Sequence, residues 1–348
     1  MELMNTVIGW PEPVVSVQSL ADSGIKTVPS KYARAYAASA SCSVNIPVVN
    51  LQHAFSCDAN LRQKTLGLVS KACREIGFFQ IENHGVSPVL MTKNLDVWRN
   101  FFSQPLVVKQ KYSNNPATYE GYGSRLGIEK DALLDWSDYF YLHYLPRSLK
   151  DVNKWPTEPN CMRDVILEYG EELAMLGQRL MKVLSGALGL KEDYIEEAFG
   201  GATNMGACLR TNFYPKCPQP DLTLGLSPHC DPGGLTILLA DANVDGLQVR
   251  VGDHWAPVKP ADAAFMVIIG DQLKILSNGI YKSVEHRVMV NTSNERISLA
   301  FFYNPNEDLP IAPSGCLVSD DRPAMYSPMT FKEYRQSIRK NGIPMKQH

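Results

Sequence analysis

Beyond about residue 205 the chain breaks into short apolar or alternating runs at 209–214, 222–226, 235–239, 246–251, 265–269, 274–276, 284–290 and 296–303, separated by Pro, Gly, Asn and Asp clusters. Strands this short and this regularly spaced cannot build a parallel sheet with helical crossovers. They demand an antiparallel sandwich or barrel. The first half reads differently. Ile46–Leu51 is β-branched and short, so it predicts a strand. From Asn60 to Ile76 apolar residues recur at helical intervals and Gly77 follows as a stop. Phe78–Ile81 predicts a second strand. A long helix is expected over 163–188, where Val165, Tyr169, Leu173, Leu176, Leu180, Leu184 and Leu188 fall at steps of three and four before Gly189. Residues 1–40, rich in Pro, Ala and Ser, predict an irregular arm. Near the end, Thr330-Phe331-Lys332-Glu333 has the form of a capping box that opens a last helix. The expected architecture is α+β: N-terminal helices supporting a mostly β barrel core, closed by a C-terminal helix.

Composition removes several function classes. The 348 residues allow one or two domains at roughly 150 residues each, with ample core for folding without disulfides. Lys+Arg 34 against Asp+Glu 36 leaves a net charge of −2, which argues against nucleic acid or an anionic membrane as the main partner. No apolar run approaches the length of a membrane span, and Met1–Pro13 has neither the basic nor the apolar region of a secretory signal. The eight cysteines, Cys42 among them, form no CxxC pair and no zinc spacing, which fits reduced thiols in the cytoplasm. The expectation is a cytoplasmic monomer with possible access to the nucleus, acting on a small molecule.

Three features of the strand-rich half carry chemistry. The first is His229-Cys230-Asp231 with a distant His286. On a strand, residues two apart share a face, so His229 and Asp231 can reach one point while Cys230 turns away. A histidine from a neighbouring strand would complete two imidazoles and one carboxylate on one side of a metal, the facial triad of non-haem Fe(II) oxygenases. Alone, the pattern is more often a surface HxD beside an unrelated core histidine, since such matches are common by chance. The second feature is Arg296-Ile297-Ser298, where a guanidinium fork and a hydroxyl on one strand face could grip a carboxylate. Alone, it is more often an exposed strand that carries an arginine. The third is Arg210, Asn212 and Tyr214 on one face of another strand, an unusual polar stripe for a core. Together, in this order, the three are far more specific than any one.

With these residues in view, the chain resembles the plant 2-oxoglutarate- and Fe(II)-dependent dioxygenases of the flavonoid-oxidase type over nearly its whole length. The landmarks are FFQIENHG (78–85), NFYPKCPQP (212–220), LSPHCDPGGLTILL (226–239), GLQV (246–249), IIGDQLKILSNGIYKSVEHRV (268–288) and NERISLAFFYNP (294–305). The resemblance implies a double-stranded β-helix, or jelly-roll, over residues 201–348 with its closing helix. An N-terminal helical region over residues 1–200 packs with it as one compact unit. It further implies that His229, Asp231 and His286 ligate Fe(II), that Arg296 and Ser298 hold the far carboxylate of 2-oxoglutarate, and that Asn212 and Tyr214 add contacts to it. O2 is the second co-substrate, with ascorbate in support. One departure is Cys230, where relatives commonly carry Ser or Thr between the two ligands. Facing away from the metal, it is expected to act as a spacer.

Within that family, EGYGSRLGIEKDALLDWSDYFYLHYLP (120–146) and TFKEYRQSIRK (330–340) are most similar to the jasmonate-induced oxygenases, which hydroxylate jasmonic acid. That resemblance implies conversion to 12-hydroxyjasmonate, a catabolic step that lowers jasmonate signalling and defence. It assigns the substrate carboxylate to Arg210, Arg335 and Arg339. Independent support lies in the spacing. Arg335 and Arg339 stand i, i+4 on one helix face, an unfavourable like-charge pair unless an anion sits between them. The alternative is two cations complementing the C-terminal end of a helix dipole. Phe302 shares the strand face of Arg296 and Ser298 and should line the pocket, with Tyr141 a further candidate. Three rivals keep most of these residues: a dioxygenase modifying flavonoids or other specialised metabolites, an iron oxidase that does not use 2-oxoglutarate, and a non-catalytic binding protein on the same fold.

Overall fold

Two β-sheets face each other across a narrow interior, and the helices cover the outside of the larger one. In the computed structural model, residues 16–34, 45–115, 118–124 and 133–341 are described, with side chains as far as Ile338. In chain order the elements begin with α1 (Val17–Asp22), β1 (Val48–Asn50), α2 (Ala59–Glu75), β2 (Phe78–Glu82), α3 (Pro88–Ser103) and α4 (Leu106–Lys109). Next come β3 (Gly121–Ser124), β4 (Asp138–Leu145), α5 (Met162–Ala187) and α6 (Tyr194–Ala198). The strand-rich part holds β5 (Gly206–Tyr214), β6 (Leu226–His229), β7 (Leu235–Ala240), β8 (Leu247–Val251), β9 (His254–Pro257) and β10 (Phe265–Ile269). It ends with α7 (Asp271–Leu276), β11 (His286–Val288), β12 (Arg296–Asn304) and α8 (Phe331–Asn341).

The larger sheet has eight strands in the order β1-β2-β10-β7-β12-β5-β4-β3, and the smaller has four, β6-β11-β8-β9. All pairings in them are antiparallel except β1 with β2. This is the antiparallel sandwich expected from the strand spacing, in the jelly-roll form that the resemblance implied. Four strands of the larger sheet come from the first 200 residues, β3 and β4 among them, in a stretch whose aromatic run carries no turn signal that would have marked two strands.

The alternation along β12 separates two interiors. Ile297, Leu299 and Phe301 join the cluster formed with α2, α3 and α5, including Val165, Tyr169, Leu173 and Leu180. Ala300 faces the other way, into a cluster with Leu238 and Met266 of the larger sheet and Leu247, Val249 and Val288 of the smaller. Helix α2 starts where Asp58 accepts from the Asn60 and Leu61 amides at 2.9 and 3.3 Å. It stops at Gly77, whose φ of +80° and close approach to the Lys282 carbonyl leave no room for a Cβ. The capping box of α8 forms as expected: Thr330 Oγ1 accepts from the Glu333 amide at 3.2 Å, and Glu333 accepts from the Thr330 amide at 3.0 Å.

Two expected strands are corrected. Residues 274–276 belong to α7, because Leu273 and Leu276 bury one helical stripe while Gly270 and Asp271 start a helix rather than continue β10. Residues 222–226 are not a strand either. A 3-10 turn occupies Pro220–Leu222, Leu222 is exposed, and β6 begins only at Leu226. The N-terminal arm, in its described part 16–34, is more ordered than its composition suggests. The Asp138 carboxylate accepts from Ser16 Oγ (2.6 Å), the Val17 amide (2.8 Å) and the Gln18 amide (3.1 Å), capping α1. Val17, Val28 and Tyr32 are buried in the inner cluster. The rest of the 1–40 arm and Cys42 lie outside the described residues.

Candidate active site

The ladder between β6 and β11 sets His229 directly opposite His286. Their imidazoles lie 4.2 Å apart between centroids, and the Nε2 atom of each is 3.7 Å from Asp231 Oδ1. One donor atom from each of the three residues lies within 4.8 Å of the other two, so a single ion can touch all three. Among the described residues this is the one group of histidine, cysteine or acidic side chains arranged in that way. The other ends of the ligands are held. His229 Nδ1 faces the Ser227 carbonyl at 2.8 Å and His286 Nδ1 faces the Val284 carbonyl at 3.2 Å, which leaves each Nε2 lone pair aimed inward. Thr236 Oγ1 donates to Asp231 Oδ2 at 2.5 Å, so Oδ1 is the oxygen turned to the histidines. Burial, and then the neighbouring His286, lower the His229 pKa from its ordinary value, keeping a neutral imidazole available as a ligand. Two imidazoles and a carboxylate on one side, with second partners in place, fit Fe(II).

Cys230 does turn away. Its thiol donates to the Ser283 carbonyl at 3.6 Å, and burial raises it to about 11, so it carries no thiolate.

Across the interior, β5 and β12 pair so that Tyr214, Asn212 and Arg210 stand opposite Arg296, Ser298 and Ala300. Arg296 is only 4% exposed. Its Nε donates to the Val244 carbonyl at 3.2 Å, its guanidinium lies 5.4 Å from the Tyr214 ring centroid, and one Nη has no hydrogen-bond partner in the protein. Tyr214 is within hydrogen-bonding reach of both Arg296 and Ser298. A buried guanidinium with a spare donor is costly unless an anion completes it, so this end of the interior fits a carboxylate. Burial lowers the Arg296 pKa from its ordinary value, which is the same desolvation seen from the cation's side. Gly246 makes room for this group, since a Cβ there would stand 3.1 Å from Arg296 Cδ and 2.9 Å from the Met289 carbonyl.

The structure brings most of the remaining residues to one neighbourhood. Tyr141 stands on β4 opposite Arg210 of β5, with the Cys208 thiol within reach of its hydroxyl. The charges of Arg335 and Arg210 both act on Tyr141, whose pKa burial raises well above the ordinary value. Arg210 lies over the Tyr139 ring at 4.4 Å, with its Nε buried and unpartnered in the protein. Arg335, half-buried on α8, lies 5.6 Å from the Phe331 ring centroid. Phe302 packs against the inner cluster beside these groups. Arg339 falls in α8, but its side chain lies outside the described residues. Thr236 and Ser227 are functional partners that pattern reading overlooked. A threonine within the otherwise apolar LTILLA run was the available signal for the first.

Two family models match the chain. The 2OG-Fe(II) oxygenase superfamily matches residues 205–305, and the N-terminal region named for a non-haem dioxygenase in morphine synthesis matches 46–158. Jasmonate-induced oxygenase 2 of Arabidopsis thaliana is 56% identical over 97% of this chain and 93% of its own length. Jasmonate-induced oxygenase 3 of the same plant is 52% identical over 99% and 98%. A crystal structure of JOX2 in complex with 2OG, Fe and JA superposes with a TM-score of 0.89 at 56% identity, covering 97% of both chains.

Proposed function

The chain belongs to the 2-oxoglutarate- and Fe(II)-dependent oxygenases, within the jasmonate-induced oxygenases, and from that premise we propose that it hydroxylates jasmonic acid to 12-hydroxyjasmonate. It is a 2-oxoglutarate-dependent dioxygenase that uses Fe(II). In this reading His229, Asp231 and His286 hold the iron, Arg296 and Ser298 take the far carboxylate of 2-oxoglutarate, and Asn212 and Tyr214 line its path. Held there, iron and 2-oxoglutarate would supply the oxidising chemistry, in which one oxygen atom of O2 goes into succinate as CO2 is released and the other into the hydroxylated substrate, and ascorbate would keep the metal reduced. The chain's own part is to bind, orient and keep water out.

The observation that carries the substrate is the convergence of two cations from different elements. Arg210 from β5 and Arg335 from α8 both act on the half-buried Tyr141. Cations beside an apolar interior are costly to desolvate without an anionic ligand, which favours a free carboxylic acid over a neutral flavonoid. Arg339, on the same helix, would be the third contact. Phe302 and Tyr141 would border the acid's apolar body.

The test is a substrate screen with Fe(II), 2-oxoglutarate and ascorbate that follows succinate release and product mass. Jasmonic acid should gain one oxygen with matched succinate. Turnover of a neutral flavonoid alone would overturn the substrate while leaving the dioxygenase standing. We also propose that the protein works as a cytoplasmic monomer able to enter the nucleus, needing neither nucleic acid nor membrane. Its net charge of −2 supports the part of this reading that sets nucleic acid and anionic membranes aside. Light scattering on the purified chain and imaging of a fluorescent fusion would test it.

A further inference from the structure

Behind His229, on the side away from Nε2, a chain of polar contacts runs out to the N-terminal arm. The His229 Nδ1 partner is the Ser227 carbonyl. Ser227 is itself held by Asp135: its amide donates to Asp135 Oδ1 at 3.1 Å, and its hydroxyl donates to the same oxygen. The Asp135 side chain has no exposed surface. Such a carboxylate needs a cation or several donors to stay charged. Arg34 supplies the cation. Its Nη2 donates to Asp135 Oδ1 at 3.2 Å and to the Leu134 carbonyl at 2.6 Å, and its Nη1 donates to Ser227 Oγ at 2.7 Å. The arm itself is tied down where the Arg34 amide donates to the Leu222 carbonyl at 2.8 Å. One planar fork therefore joins its own segment to two others, 100 and 193 residues away in sequence, a grip that a lysine could not reproduce.

We propose that Arg34 is a positioning residue for the metal ligand His229, acting through Asp135 and Ser227, so that docking of the N-terminal arm and loading of the metal are one coupled equilibrium. This rests on His229 being a ligand. The physical content is that the Ser227 carbonyl fixes the tautomer and the aim of the imidazole, and that Asp135 and Arg34 fix the carbonyl. Outer partners of metal-bound histidines govern affinity in this way, typically by about 10- to 100-fold. Coupling is reciprocal, so the metal must also favour the docked arm.

The experiment is Co(II) titration by calorimetry on the full chain without co-substrates, paired with hydrogen exchange over residues 16–34. Arg34→Met should weaken Co(II) binding by about 10-fold or more, and Ser227→Ala should weaken it in the same direction. Lys154→Met, which breaks the ion pair with Glu120, should bind Co(II) as the parent does. In the parent, Co(II) should slow exchange over 16–34, and in Arg34→Met it should not. If Arg34→Met fails to fold, Ser227→Ala, which removes one hydroxyl, decides the matter. Parent-like Co(II) affinity in the folded arginine and serine variants overturns the proposal. His229→Ala separates the two readings: undiminished Co(II) binding there would mean that the ligand assignment has failed, and its loss beside unaltered Arg34 and Ser227 variants would mean that only the coupling has.

Discussion

The two faces of β12 serve different ends. Outward, Ile297, Leu299, Phe301 and Tyr303 are fully buried against helices and carry no group that titrates near neutrality. Inward, Arg296 and Ser298 are almost as buried, yet one is a cation with a spare donor. Equal burial thus serves opposite ends. Outside, removing apolar surface from water stabilises the fold. Inside, removing a guanidinium from water costs stability and makes the site receptive to an anion. A period of two keeps these roles apart on a single strand, which is why neighbouring residues should respond so differently to substitution.

The sharpest break on the chemical side of the interior is Asp231→Ala, at the metal donors that face the inner side of β12's sheet from beyond the end of β6. Turnover should fall to background and Co(II) affinity with it, while the melting temperature holds, because Asp231 belongs to neither apolar cluster. Activity near that of the parent would show that the metal sits elsewhere. On the outer face, Gly177→Ala places a Cβ 2.0 Å from the Tyr303 ring. Overpacking of this kind costs about 1–3 kcal/mol, read as a lower melting temperature with KM values unchanged in the folded fraction. At the mouth, Arg335→Ala should raise the jasmonic acid KM by about 10-fold, near the lower end of a lost charge-assisted contact because the residue is half-buried. The methyl ester, lacking the charge, should scarcely notice. Equal effects on acid and ester would remove Arg335 from carboxylate binding. The smallest effect is expected for Cys230→Ser, whose thiol faces Ser283 rather than the metal donors. Iron affinity and turnover should stay at parent values, and a large loss of either would show that Cys230 is more than a spacer.

What could be read from the residues was what repeats locally. The alternation on β12, the helical stripe of α5 and the capping box of α8 are local patterns, so local geometry specified them. His229 and Asp231 do converge as expected, but β6 ends at His229, so Asp231 reaches the site from beyond the strand rather than by strand alternation. Two strands were misread where local signals conflict. Lys274–Leu276 is too short for its period to separate strand from helix, and Pro220 converts the start of the 222–226 run into a turn. β3 and β4 went unrecognised because Gly121–Ser124 is short and glycine-rich, while the aromatic run of β4 shows no clear alternation between apolar and polar residues. The links from Arg34 to Asp135 and Ser227, and from Thr236 to Asp231, were illegible for another reason. They join distant segments through single polar atoms, and no periodicity announces such a bond.

The central claim, that one strand separates folding from chemistry, is tested most directly by measuring the 2-oxoglutarate KM and the melting temperature together for Arg296→Lys and Leu299→Ala. Arg296→Lys keeps the charge but loses the fork, so its KM should rise by roughly 10-fold or more with little change in melting temperature. Leu299→Ala should lose about 2–5 kcal/mol of stability, several degrees of melting temperature at roughly 2 °C per kcal/mol, with KM unchanged in the folded protein. The account predicts this crossed result; a common loss of both quantities in both variants would contradict it.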